Sequence, residues 1–270
     1  MHERYSERRA AEIRELDGLR LEINEAKRIG TIILDRPPLN IVSYQARDQL
    51  RVLIEELGRD PRVGVIVIRG ANGVYTSGGD VRGFLSVPRD GMSNLAWNIA
   101  APERCPKPVI CAMEKYAFGV GLELALACDF RIATRDTLLA LPEATIGMIP
   151  GSGGSQRVVR LVGLTRAKDM VLLGRRIPAA EAHQWGLITE VVENGEALNQ
   201  TIESYAARLN GMSPLVLSTL KRVLDSAEDA SLPAGFEIEG QAYEKLRDSA
   251  DYKEGVEAFF EKRKANYTGK

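Results

Sequence analysis

Histidine and aromatic residues are scarce in this chain of 270 residues. There are two histidines, His2 and His183, and aromatics make up 6% of the sequence. A Ser-His-Asp or Cys-His mechanism therefore has little to draw on, and no histidine or cysteine cluster has zinc-ligand spacing. No metal site is expected. The three cysteines, Cys105, Cys111 and Cys128, lie in or near apolar runs. An odd count without paired spacing argues against a disulfide framework and reads as buried thiols in a reducing compartment. Net charge is −1, which offers nothing for nucleic acid or an anionic membrane. No apolar run approaches the roughly 18 residues of a membrane span. The charged N-terminus has no apolar signal core, so the expected address is cytoplasmic.

Glycine is plentiful, and short runs of valine and isoleucine recur. Residues 1–18 read as a charged tail, as a solvated helix or loose chain. Leu19 to Ile23 and Gly30 to Asp35 read as a hairpin across a polar turn. Ser43 caps a helix with Leu50, Leu53, Ile54 and Leu57 on one face. Val63 to Arg69 is a buried strand, followed by a loop of small residues ending in Ser77-Gly78-Gly79-Asp80. Helical sequence after this loop runs through Asn94 to Ala101 and is expected to stop at Pro102. Strands are expected at 108–113, 130–134 and 138–141, and at Leu187 to Val192. Helices are expected at 154–162, at Thr165 to Leu173 and at Pro178 to Gln184. Strand, strand, helix, repeated along residues 19–195, predicts a spiral α/β core rather than a doubly wound sheet. Residues 196–270 have helical periodicity almost throughout, with apolar faces that need a partner.

The chemistry centres on Ala117 to Asp129. Lys107-Pro108-Val109-Ile110-Cys111-Ala112-Met113 enters it as a buried strand. Gly119 and Gly121 then permit a sharp turn, and Leu122 to Cys128 reads as a buried helix. Backbone N–H groups at such a helix start are free and aimed at one spot, which suits developing negative charge. Glu123 lies in the first helical turn. Glu143, in Leu141-Pro142-Glu143-Ala144, is a second carboxylate in an apolar context. The Ser77–Asp80 loop offers a second arm of N–H donors, and Gly151 to Gly154 a further close-approach loop. Two convergent donors form an oxyanion hole, and two carboxylates beside it can divide acid and base work. The alternative is that the glycines are ordinary turns and the glutamates are capped or surface-paired.

Six motifs in this order resemble the crotonase, or enoyl-CoA hydratase/isomerase, superfamily over Leu19 to Tyr267. They are Leu34-Asp35-Arg36-Pro37, Tyr75 to Asp80, Lys107 to Ile110 with Gly119 to Ala125, Leu141-Pro142-Glu143, Ile149 to Gly154, and Glu261 to Asn266. The resemblance implies a crotonase-like spiral of ββα units with a C-terminal helical region that builds trimers or dimers of trimers. It also implies an acyl-CoA substrate, with coenzyme A as part of that substrate and no permanently bound cofactor.

In the family pattern the oxyanion donors fall on Gly79 and Val120. The two catalytic glutamates of the hydratases match Glu123, which would activate water, and Glu143, which would protonate C2. CoA contacts would come from Arg36, Ser77, Gly78, Asp80, Arg82 and Gly151. Phe259 and Lys262 match positions that reach a neighbouring subunit's CoA.

Two positions depart from the pattern. Val120 replaces a common glycine and would narrow the pocket or shift the turn. Pro38 stands where a lysine is frequent. Hydration of a 2-enoyl-CoA, or the reverse, is the expected reaction. Isomerisation, thioester hydrolysis and C–C bond hydrolysis are the family alternatives. A dinucleotide fingerprint is disfavoured because Leu124 stands where its third glycine belongs. A glycosidase would leave the glycine loops unexplained.

Overall fold

A computed structural model describes residues 14–86 and 94–270. Most of the expected N-terminal tail, and the start of the helical sequence before Asn94, lie outside them. The main sheet has six strands in the order β1-β2-β3-β4-β6-β9. β1 (Leu19–Asn24) and β2 (Ile29–Leu34) form the expected antiparallel hairpin. β3 (Val65–Gly70), β4 (Val109–Met113), β6 (Phe130–Thr134) and β9 (Glu190–Val192) follow in parallel. A second sheet is built from β5 (Tyr116–Phe118), β7 (Leu138–Ala140) and β8 (Ile177–Pro178).

The sequence explains this layering. Val65, Ile66, Val67 and Ile68 are all buried, as a parallel strand covered on both faces requires. Ile66 and Ile68 face the main core, while Val65 and Val67 pack under Leu198, Ile202 and Ala206 of α7 (Gly195–Asn210). The spiral repeats strand, short strand, helix. β2 leads to Val42 and then α1 (Tyr44–Arg59), capped by Ser43 as expected. Two short helical turns, α2 (Leu95–Ile99) and α3 (Ala101–Arg104), precede β4. β4 leads to β5 and α4 (Val120–Leu126). β6 leads to β7, a 3₁₀ turn at Glu143–Ile146 and α5 (Gly154–Leu172). Gly163, at φ 80°, breaks α5 into the two expected helices. α6 (Ala179–Gln184) then leads to β9.

Two local expectations need correction. Helical structure does not stop at Pro102, because α3 places this proline in its first turn, where the missing N–H would have had no partner anyway. Tyr116–Phe118 is a strand rather than only the approach to a turn. The C-terminal helices are α7, α8 (Pro214–Ser226), α9 (Leu232–Arg247) and α10 (Ala250–Glu261). No residue of α9 is buried, and Leu232, Phe236 and Tyr243 stand well exposed on it.

Asn40 locks the second layer in place. Its Nδ2 donates to Ala71 O (3.0 Å) and Val74 O (2.6 Å), and its Oδ1 accepts from Arg36 N (3.1 Å). Asn40→Ala is expected to cost about 1–3 kcal/mol in chemical denaturation, because buried carbonyls lose their donor. Its removal also loosens the loop carrying Ser77 to Asp80.

Candidate active site

The site forms where two glycine turns meet in the second layer. Thr76 bridges Ala117 in parallel. Beyond this bridge the two segments stay close: a Cβ on Gly119 would lie 3.9 Å from Gly78 Cα, and Gly79 and Val120 are the residues that follow these two glycines. The contact around Gly78 agrees, since an added Cβ there would lie 3.1 Å from Phe118 O. On the other side, Ser77 N donates to Leu39 O (3.0 Å) and Asp80 N to Val42 O (3.2 Å). Two donors to the same neighbour three residues apart break strand alternation, and Gly78 absorbs the break at φ 113°. The N–H of Gly79 therefore joins neither ladder. Gly119, at φ 51° and ψ −126°, turns the chain into α4. Its N–H goes to Ala140 O (2.9 Å) and its carbonyl accepts from Glu123 N (3.0 Å). Val120 N, in the first turn of α4, has no intrahelical acceptor. Among the described residues neither the Gly79 nor the Val120 N–H has an acceptor. Each follows one of two glycines that lie close together, which makes the pair a candidate oxyanion hole.

The Val120 side chain is 3% exposed and belongs to the main core. It packs inward, and the Val120 N–H remains without an acceptor among the described residues.

The two glutamates sit in different environments. Glu123 is 2% exposed, and its Oε1 accepts from Ser152 N (2.7 Å) and Gly154 N (2.9 Å). Oε1 is fully committed, leaving Oε2 as the atom that can exchange a proton. The Gly151–Gly154 loop is thus a clamp on Glu123. Glu143 is half-buried, its Oε2 has no partner, and its Oε1 lies 3.0 Å from where a Cβ on Gly119 would stand. Burial is the main cause that pushes its pKa up to about 7, and Glu123 adds to the shift. Its own backbone N–H and Arg47 oppose it.

A raised carboxyl pKa destabilises the fold once the group ionises. The contribution of Glu143 to stability is complete below about pH 4.5, where the unfolded group is protonated. It is lost as pH rises to about 7. Glu143→Gln should therefore melt a few degrees above the parent at pH 8. This corresponds to about 1–2 kcal/mol, allowing for its partial exposure. The gap should close toward pH 4.5, as thermal scans across that range would show.

Arg47 was not anticipated. It is 4% exposed, on the inner face of α1, and its Nη1 donates to Ser152 Oγ (3.1 Å). Its Nη2 lies 3.0 Å from where a Cβ on Gly79 would stand. The guanidinium stacks over Tyr44 (5.0 Å) and Phe84 (5.7 Å). A signal was present in the sequence: Arg47 is three residues before Leu50 and seven before Ile54, which places it on the apolar stripe.

The expected CoA contacts are dispersed. Ser77, Gly78 and Asp80 belong to the arm itself, with Asp80 Oδ1 held by Gly83 N (3.1 Å). Arg82 is exposed. The Arg36 guanidinium is paired with Asp17, so part of its charge is engaged within the chain. Gly151 is exposed at the mouth of the Glu123 clamp. Phe259 is 78% exposed and Lys262 ends α10. Neither touches the glutamates within this chain.

Comparison with known proteins gives the family and the fold. The enoyl-CoA hydratase/isomerase family model matches residues 24–270. A probable mitochondrial enoyl-CoA hydratase of Arabidopsis thaliana is 36% identical over 87% of this chain and 80% of its own. The human mitochondrial enoyl-CoA hydratase domain-containing protein 2 is 34% identical over 90% and 86%. The crystal structure of an enoyl-CoA hydratase from Bacillus anthracis superposes with a TM-score of 0.88 at 31% identity, covering 94% of this chain and all of that one. Sequence motifs, two-layered spiral and family match agree: this chain belongs to the enoyl-CoA hydratase/isomerase family.

Proposed function

We propose that the protein adds water across the double bond of a 2-enoyl-CoA to give a 3-hydroxyacyl-CoA, or runs the reverse reaction. The observation that carries this reading is the unequal pair of glutamates beside two free N–H donors. The thioester oxygen lies between Gly79 N and Val120 N, where negative charge gathers as C3 is attacked. Losing one such donor costs roughly 3–4 kcal/mol of transition-state stabilisation. Glu123 Oε2 takes a proton from the attacking water, whose hydroxyl bonds to C3. Glu143, protonated below about pH 7, gives its proton to C2 as the enolate collapses. Proton exchange with solvent resets both carboxyls.

Coenzyme A enters as part of the substrate along the Ser77–Asp80 arm. Arg82 is within the same exposed turn for its phosphates. The exposed apolar face of α9 and the exposed Phe259 support assembly into a trimer, or dimer of trimers, in which Phe259 and Lys262 serve a neighbour's CoA. Among the described residues no helix is long and apolar enough to cross a membrane.

The test is mass spectrometry of a mixed panel of 2-enoyl-CoA esters incubated with the protein in ¹⁸O water. Labelled hydroxyacyl-CoA is the expected product. Free CoA with labelled acid would make this a thioester hydrolase instead, and an unlabelled isomer of the substrate would make it an isomerase.

A further inference from the structure

Arg47 is a charged group without enough partners. A guanidinium carries five N–H donors and stays ionised at any ordinary pH. Removing it from water is costly unless those donors are used. Among the described residues its side chain makes one hydrogen bond, to the neutral Ser152 Oγ, and its buried Nε has no partner. Burial lowers its pKa, and the opposing attraction comes from Glu123, Tyr44, Glu143 and Asp48. None of these carboxylates forms an ion pair or hydrogen bond with it. Arg47 is therefore not spent on neutralising the glutamates.

Its position narrows what it can serve. Nη2 is beside Gly79, one of the two donors that face the thioester oxygen. Ser152, which Nη1 reaches, also supplies an amide to Glu123. The guanidinium thus stands next to the first few carbons of a bound acyl group, and it is buried where Arg82 of the neighbouring turn is exposed. Tyr44 and Phe84 flank its face and hold the planar fork in one orientation. A planar, fixed fork matches a carboxylate through two parallel hydrogen bonds.

We propose that Arg47 receives a carboxylate on the acyl group, so that the substrate is the CoA ester of a short dicarboxylic acid. This rests on the acyl-CoA reading above but not on hydration as the reaction. A neutral alkyl chain would leave the guanidinium buried and unpaired, so Arg47 selects against such chains as well as for acidic ones.

The test uses binding of saturated esters, which cannot be hydrated, to the full-length protein. Butyryl-CoA, succinyl-CoA and glutaryl-CoA are titrated calorimetrically into the parent, Arg47→Met and Arg47→Lys. The parent should bind at least one carboxylated ester roughly 10- to 100-fold more tightly than butyryl-CoA. Arg47→Met should abolish or invert that ratio, and Arg47→Lys should restore part of it. The ratio within one protein sample is insensitive to the fraction folded, so a destabilised variant still reports. Equal or tighter binding of butyryl-CoA by the parent would overturn the proposal, as would a preference that survives in Arg47→Met. Failure of all three esters to bind would overturn the acyl-CoA reading and this proposal together.

Discussion

Glu143→Gln is expected to lower kcat for hydration by about 10²–10⁴-fold, the usual contribution of a positioned general acid. Gln has nearly the same shape and cannot give up a proton. KM for the ester should move little, because the hole and the CoA arm are untouched. The parent's rate of hydration should fall as pH rises through about 7, where Glu143 loses its proton. That limb should vanish in the variant. Glu123→Gln should lose a similar factor for a different reason. Its Oε1 would still accept from Ser152 N and Gly154 N, but the amide cannot take the proton of water. Steady-state kinetics with a matched binding measurement checks both. Near-normal turnover in either variant would remove the two-carboxylate mechanism.

Gly119→Ala is the second large effect. Gly119 sits at φ 51° and ψ −126°, a region that L side chains rarely adopt. An added methyl would also lie 3.0 Å from Glu143 Oε1. The chain can relieve both only by rotating the turn, which swings the Val120 N–H away from Gly79. One misaimed donor costs about 10²–10³ in kcat, and displacement of Glu143 adds to this. Gly186→Ala is the control. Gly186 also has a positive φ of 80°, but nothing lies within 4 Å of an added Cβ. It should lose about 1–2 kcal/mol of stability from the left-handed backbone alone and keep its turnover. Equal kinetic losses in the two variants would refute the assignment of Gly119 to the hole.

Much of this was legible because it is local. The β1–β2 hairpin depends on alternation over a dozen residues. The Ser43 cap depends on an oxygen three residues from the amide it serves. Glu123 could be placed at a helix start because glycine and a buried strand precede it. The helix break at 163 was readable because glycine interrupts the apolar pattern there. Tyr116–Phe118 was missed as a strand because three residues carry no measurable period, and its partner, β7, lies more than 20 residues ahead.

The sequence by itself determined the alternating strands and helices, the glycines at the turns, the two carboxylates and the family. Each follows from periodicity, backbone freedom or motif order within a short stretch. Only the tertiary structure decided the fate of Arg47, whose one side-chain hydrogen bond among the described residues spans 105 residues to Ser152. It also decided that Arg36 is engaged by Asp17, that Val120 packs inward, and that Glu143 Oε2 is buried without a partner. Burial, pairing and desolvation are set by what the rest of the chain brings alongside, and no local pattern encodes that.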